Sequence, residues 1–205
     1  MLKKSIIIIG IIIFFDQLLK IYIKTHFYIG QQLPLLGDYI KLYFIENTGM
    51  AFGMEFGGEP GKIILTLIRI IALGVIGYIL YKSITKKESK FLIYSLALIF
   101  AGALGNIIDS VFYGVIFSKS DFFIVAEMFP KNGGYAGILQ GKVVDMLYCP
   151  VIQTTLPEWL PIWGGQYFEF FRPIFNIADS AITIGVFIML IFYSKIFKKK
   201  FYSQK

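Results

Sequence analysis

Four aspartates, Asp16, Asp109, Asp145 and Asp179, stand in or beside apolar stretches of this chain. An ionised side chain at membrane depth costs at least about 2.5–3.5 kcal/mol on insertion scales, so each asks for a partner or a task. Two of them close a short echo, Asn106-Ile107-Ile108-Asp109 and Asn176-Ile177-Ala178-Asp179. A separation of three positions puts amide and acid on one helical face, so both pairs can point into the same bundle. Asp145 lies in the apolar run Val143-Val144-Asp145-Met146-Leu147, which can dip back toward them. Two carboxylates held close do not both ionise. The charged member can take a proton from water while the neutral one gives a proton to a carbonyl, the division of labour of aspartic proteolysis. Asn106 and Asn176 would orient the acids or a peptide. The same residues also fit two other tasks: buried hydrogen-bonded ties between helices, and a proton- or cation-coupled transport path through buried carboxylates. Lys20 lies one turn from Asp16, a spacing that predicts a structural ion pair. Arg69, inside another apolar run, either neutralises an acid or snorkels outward.

Other chemistries lack their residues. The single histidine, His26, and the single cysteine, Cys149, make neither a zinc site nor a thiolate cluster, so no metal and no cofactor is expected. A lone cysteine also excludes an internal disulfide.

The elements that must position these acids are membrane elements. The chain has 205 residues, 57% hydrophobic and only 16% charged, with 21 Phe and 13 Tyr; this excludes both an ordinary soluble domain and a disordered chain. Apolar runs predict four transmembrane helices at about 5–23, 63–81, 91–116 and 174–197. The first follows two lysines as a leader would, but no small-residue cleavage site follows it, so it is expected to remain as a span. The net charge of +7 is concentrated in Lys3 and Lys4, in Lys82, Lys86, Lys87 and Lys90, and in Lys195, Lys198, Lys199, Lys200 and Lys205. Such runs mark cytoplasmic segments, which puts both termini inside and argues against a nucleic-acid partner.

Segments 26–62 and 117–172 then face the other side, and the whole is expected to form one membrane domain. Tyr39-Ile40-Lys41-Leu42-Tyr43-Phe44 in the first predicts a strand, and a small sheet at the membrane surface. The second carries Phe122, Phe123, Trp159, Trp163, Tyr167, Phe168, Phe170 and Phe171, aromatics of the kind that gather at headgroup level. The fold class is therefore integral membrane and mainly α: four spans, a small extracytoplasmic β-rich segment and surface loops.

Five motifs recur in order: Asp16-Gln17-Leu18-Leu19-Lys20; Asn47-Thr48-Gly49-Met50-Ala51-Phe52-Gly53; Gly102-Ala103-Leu104-Gly105-Asn106-Ile107-Ile108-Asp109; Val143-Val144-Asp145; and Phe175-Asn176-Ile177-Ala178-Asp179-Ser180. Each is weak alone; together, in this order and relative to four spans, the set resembles bacterial lipoprotein signal peptidase, the type II signal peptidase. The resemblance implies an aspartic endopeptidase of the bacterial inner membrane. It would remove the signal peptide of prolipoproteins by cutting before the diacylglyceryl-modified cysteine, near the outer face. Its partners would be that lipid-modified substrate and membrane lipid, and it would act as a monomer. By resemblance the catalytic pair is Asp145 and Asp179. Asp16, Lys20, Asn106, Asp109, Asn176 and Ala178 match positions that support the site or contact substrate, and Asn47, Gly49, Ala51 and Phe52 match the surface-lying segment over it.

Three departures stand out. Relatives usually carry Arg after the third-span aspartate, where this chain has Ser110; Arg172 and Lys142 are the replacements considered. Met146 stands where Phe usually follows the Val-Val-Asp aspartate. The intervals from Asp109 to Asp145 and from Asp145 to Asn176 are longer than usual. Their Pro and Gly punctuation reads as extra surface loops that lid the substrate entrance or dock a partner.

Overall fold

A computed structural model of the chain describes residues 1–37, 39–48, 58–170, 172–192 and 195. Helix α1, Leu2–His26, buries Ser5, Asp16, Lys20, Ile23 and Lys24, while Ile6, Ile7, Ile11, Phe14, Phe15, Leu18 and Tyr22 stand exposed. A polar stripe inward and an apolar stripe outward is the inverse of a soluble helix, and it places lipid around the bundle. Helix α2, Gly58–Thr85, repeats the pattern: it buries Thr66, Leu80 and Ser83 and exposes Ile64, Ile68, Ile71, Val75 and Tyr78. Helix α3, Lys90–Ile108, passes into a π-helical turn, Asp109–Tyr113, and a closing turn α4, Gly114–Ile116. These three are long and apolar enough to cross a membrane.

Helix α5, Ile177–Ile191, is the fourth apolar helix, described over 15 residues. It starts three residues later than the apolar run predicts, because Ile174 and Phe175 form a strand and Asn176 caps the helix, accepting from the Asp179 N–H at 2.8 Å. Its expected end at Phe197 lies outside the described residues.

Small residues bring α3 and α5 together. A Cβ built on Gly102 would lie 2.2 Å from the Ala178 carbonyl oxygen, and one on Gly185 2.8 Å from the Ser95 carbonyl oxygen. Without a hydrophobic drive between helices in lipid, close backbone approach of this kind is what associates them. Gly102→Ala is therefore expected to lower stability by ~1–3 kcal/mol, read as a reduced unfolding midpoint in detergent. Gly74→Ala, where a methyl would meet nothing within 4 Å, should leave that midpoint unchanged or slightly raised.

Beyond the helix ends lies an antiparallel four-stranded sheet in the order β1-β2-β3-β6. It comprises β1 Gln32–Leu36, β2 Ile40–Asn47, β3 Val143–Tyr148 and β6 Ile174–Phe175. The predicted strand around Tyr39–Phe44 is β2, and the Val-Val-Asp run is the central strand β3. Alternation sends Leu42 and Phe44 of β2 and Val144 and Met146 of β3 into a core with Ile23, Phe27, Tyr113 and Phe117. Met146 is fully buried there, so an apolar side chain suffices. Asp145, between two core residues, turns to the opposite face of the strand.

The two long intervals behave differently. Segment 117–142 is a surface loop as expected, without helix or strand beyond an isolated bridge. It folds back along the end of α3, with N–H groups of Tyr135, Ala136, Leu139 and Gly141 donating to carbonyls of Phe117, Gly114, Val111 and Ser110. A Cβ on Gly141 would lie 2.0 Å from the Asp109 carbonyl oxygen, so glycine permits that approach. Segment 149–173 instead forms a separate two-stranded hairpin, β4 Ile152–Thr155 and β5 Tyr167–Phe170.

Candidate active site

The site assembles where α1, α3, β3 and the first turn of α5 meet. On α1, Asp16 Oδ1 accepts the Ala178 N–H at 2.8 Å, which ties the start of α5 to α1. Its Oδ2 receives Lys20 Nζ at 2.9 Å, the ion pair expected from the spacing. Lys20 does more than that. It also reaches Asp109 at 2.8 Å and Asn106 Oδ1 at 2.8 Å, and it is fully buried. A buried ammonium is tolerable only when its donors are all used, and three acceptors at these distances use them.

The echoed Asn/Asp pairs face each other as their spacing predicted. Asn106 Nδ2 donates to Asp179 Oδ1 at 2.8 Å, and Asn176 Nδ2 donates to Asp145 Oδ1 at 2.7 Å. The two amides touch, Asn176 Nδ2 donating to Asn106 Oδ1 at 3.1 Å. Asn176 also offers its backbone N–H to Asp179 Oδ2 at 3.4 Å, so one residue contacts both carboxylates. Asn47 Nδ2, from β2, donates to Asp145 Oδ2 at 3.2 Å. Asp109 accepts from Gln17 at 2.9 Å and from the Val144 N–H at 3.3 Å, which fastens β3 to the end of α3. The π-helical turn begins at Asp109, an extra residue in the helical ladder of the kind found at functional sites.

The two outer acids differ in surroundings. Asp145 is buried, at 2% exposure. Burial first, and the like charge of Asp179 second, push its carboxyl up to about 7. Asp179 is half-buried and sits in the first turn of α5, where the helix dipole favours negative charge. Neither cation considered for the place of arginine at Ser110 serves this pair: Arg172 Nε lies 3.2 Å from Glu169 and Lys142 Nζ 3.5 Å from Glu46. Arg69, on α2, feels the charges of Asp179 and Asp145, and Lys20 acts on Asp145 as well.

Of the residues singled out from sequence, Asp16, Lys20, Asn47, Asn106, Asp109, Asp145, Asn176, Ala178 and Asp179 come together here. Gly49, Ala51 and Phe52 lie outside the described residues. Sequence reading missed Gln17, which bridges Asp16 at 3.1 Å and Asp109 and accepts from Tyr113 Oη at 3.1 Å; a polar amide inside a span was the available signal. It also missed a second buried charge cluster, in which Lys24 binds Glu46 and Ser120 Oγ at 3.0 Å. That cluster pins β2 beside Asn47, where a slip of one residue would turn the amide away from Asp145.

A helical bundle that is polar inside and apolar outside, ending in linked carboxylates and amides under a small sheet, defines an integral membrane protein with a preformed acid–amide centre. The family profile described as Signal peptidase (SPase) II matches residues 8–195. The chain belongs to that family of membrane peptidases. It is 46% identical over 189 residues to a lipoprotein signal peptidase of Porphyromonas gingivalis, covering 92% of this chain and 81% of that protein. With a lipoprotein signal peptidase of Amoebophilus asiaticus it shares 38% identity over 179 residues, 86% of this chain and 71% of that one. Among solved structures, a bacterial membrane enzyme determined by the in meso method at 2.3 Å superposes with a TM-score of 0.60 at 28% identity, covering 97% of this chain and 92% of that one.

Proposed function

We propose that this peptidase is an aspartic endopeptidase that removes the signal peptide of prolipoproteins, cutting before the diacylglyceryl cysteine, with Asp145 and Asp179 as its acid–base pair. The observation that carries this reading is Asn176, whose side chain holds Asp145 at 2.7 Å while its backbone N–H points to Asp179. Asp179 takes a proton from water as the water oxygen attacks the scissile carbonyl carbon. Asp145 gives its proton to the carbonyl oxygen. Collapse of the tetrahedral intermediate breaks the C–N bond, Asp179 delivers its proton to the departing amine, and Asp145 recovers its own from the hydroxyl. Asn47, Asn106 and Asn176 hold the carboxylates in place through this exchange, and Asp16, Lys20, Asp109 and Ala178 brace the frame that carries them. Gly49, Ala51 and Phe52 belong, by resemblance alone, to the cover over the substrate. Nothing in the family relationships favours the transporter alternative.

The acids and the sheet occupy one end of the helices, and Lys3, Lys4 and the basic turn Lys82–Lys90 occupy the other. Under the positive-inside rule this supports cytoplasmic termini and an active site near the outer face of the inner membrane. A lipid-anchored substrate would meet water and the acid pair at that depth.

The test is incubation of the purified protein with a synthetic diacylglyceryl prolipoprotein peptide. Mass analysis should find a free signal peptide ending at the residue before the lipidated cysteine; an intact substrate, or cleavage elsewhere, would overturn the reading. The pH profile adds a second check. Asp145 must be neutral to act as the acid, and with its carboxyl near 7 it is neutral below that pH and ionised above. The ratio kcat/KM should therefore fall about tenfold per pH unit above 7. The Asn47 bond favours the ionised form, so Asn47→Ala should shift this limb to higher pH; a shift to lower pH would contradict the assignment.

A further inference from the structure

The β4–β5 hairpin leaves both of its faces largely exposed, Glu169 alone among its strand residues being half-buried. Directly opposed residues of an antiparallel pair share a face, so the register Ile152↔Phe170 and Thr154↔Phe168 makes one face, and Gln153↔Glu169 and Thr155↔Tyr167 make the other. The second face is the polar one: Gln153 donates to Glu169 at 2.9 Å, Arg172 pairs with Glu169, and Gln153 also reaches Tyr148 Oη of β3 at 3.3 Å. Through Gln153 this second face is linked to β3, although Gln153, Thr155 and Tyr167 on it are themselves exposed. Ile152, Phe168 and Phe170 on the other face are exposed, and the connecting turn presents Trp159 at 79%, Ile162 at 83% and Trp163 at 57% exposure.

A hairpin in water hides its apolar face against the body. This one leaves Ile152, Tyr167, Phe168 and Phe170 uncovered, as the membrane helices leave their apolar side chains. Its feet explain why: it leaves β3 at Cys149-Pro150 and returns through Arg172-Pro173 to the Asn176 cap, where apolar α5 begins. Both feet therefore stand at the boundary where a helix of the bundle starts, and two indole rings at the tip match the side chains that settle at headgroup depth. We propose that the β4–β5 hairpin is an interfacial anchor, its Ile152/Phe168/Phe170 face and Trp159/Ile162/Trp163 tip seated in the headgroup–acyl boundary of the bilayer that the helices cross. Because the hairpin is inserted between the strand of Asp145 and the helix of Asp179, this seat would fix the depth of both acids.

The chain's 2 tryptophans are both in this turn, so tryptophan emission, excited at the red edge where its tyrosines do not absorb, reports on the hairpin alone. The protein is reconstituted into vesicles of dioleoyl phosphatidylcholine and phosphatidylglycerol, and emission is quenched either by lipids brominated high or low on the acyl chain or by aqueous acrylamide. Trp159→Phe and Trp163→Phe assign the depth of each ring. The expected result is strongest quenching by the high-brominated lipid, with acrylamide quenching several-fold weaker than for free tryptophan. Efficient acrylamide quenching without a bromine effect would place the tip in water and overturn the proposal. Protection from both quenchers would mean that a protein surface, such as a second copy, covers the tip, and would overturn it equally. No turnover is measured, so the result stands apart from the peptidase reading.

Discussion

Asp179→Asn and Asp145→Asn are each expected to lower kcat by about 10²–10⁴-fold, the range for loss of a positioned acid or base, with folded yield preserved. The Asp179 replacement is the gentler of the two. An amide oxygen still accepts from Asn106 Nδ2 at the 2.8 Å contact, and only the long 3.4 Å cap bond from the Asn176 N–H is surrendered. At position 145 both carboxylate oxygens already accept from amide donors, Asn176 and Asn47. An asparagine there sets one NH₂ group against another and costs about 1 kcal/mol of hydrogen bonding on top of the chemistry. The decisive comparison is the double variant. If the two acids act in one proton exchange, removing the second after the first should cost almost nothing further in kcat. If they were only ties between helices, the losses would appear as folded yield in size-exclusion chromatography and would add. Signal-peptide release scored by mass, beside that yield, separates the two.

How much of this was legible in the sequence depends on whether a contact obeys a period. The Asn106/Asp109 and Asn176/Asp179 pairs were readable because i, i+3 spacing is a property of one helix, and Asp16–Lys20 because i, i+4 is another. The run around Asp145 was legible only as an apolar stretch able to dip back toward the other acids; that it is a strand follows from its pairing with β2 and β6, which lie far along the chain. What Lys20 reaches on α3 was not readable: Asn106 and Asp109 are brought to it by helix packing, which the local pattern does not encode. Arg69 was legible only as an oddity in a span, since its task depends on acids far along the chain. Segment 117–142 reads as loop and is one, but its packing along the end of α3 was not legible, because those hydrogen bonds run at irregular offsets. The aromatics of the hairpin were legible as interfacial side chains, but its strand pairing was not, because the cross-strand register Ile152↔Phe170 joins residues that no local period relates.

The largest effect on stability is expected at Lys20. Lys20→Met keeps length and apolar volume but removes the one ammonium that binds Asp16, Asp109 and Asn106 at 2.8–2.9 Å. Both acids are essentially unexposed, so the change leaves buried carboxylates without their cation, and breaking a buried pair in this way costs about 3–5 kcal/mol. Against a typical total of about 5–15 kcal/mol, that loss should appear as a sharp fall in extractable folded protein and in unfolding midpoint. Lys20→Met with Asp109→Asn removes one charge of each sign and should recover much of the loss, because the remaining Asp16 still accepts from the Ala178 N–H and from Gln17. Activity should not follow stability. Asn106 would still lack the ammonium that orients its Oδ1, and its Nδ2 is the donor that holds Asp179. The double variant is therefore expected to be folded but slow, with kcat reduced more than KM is raised. A Lys20→Met protein as stable as the parent would show that the three contacts are not the frame of the site, and a double variant restored in both stability and kcat would show that Lys20 has no part in aligning the acid pair.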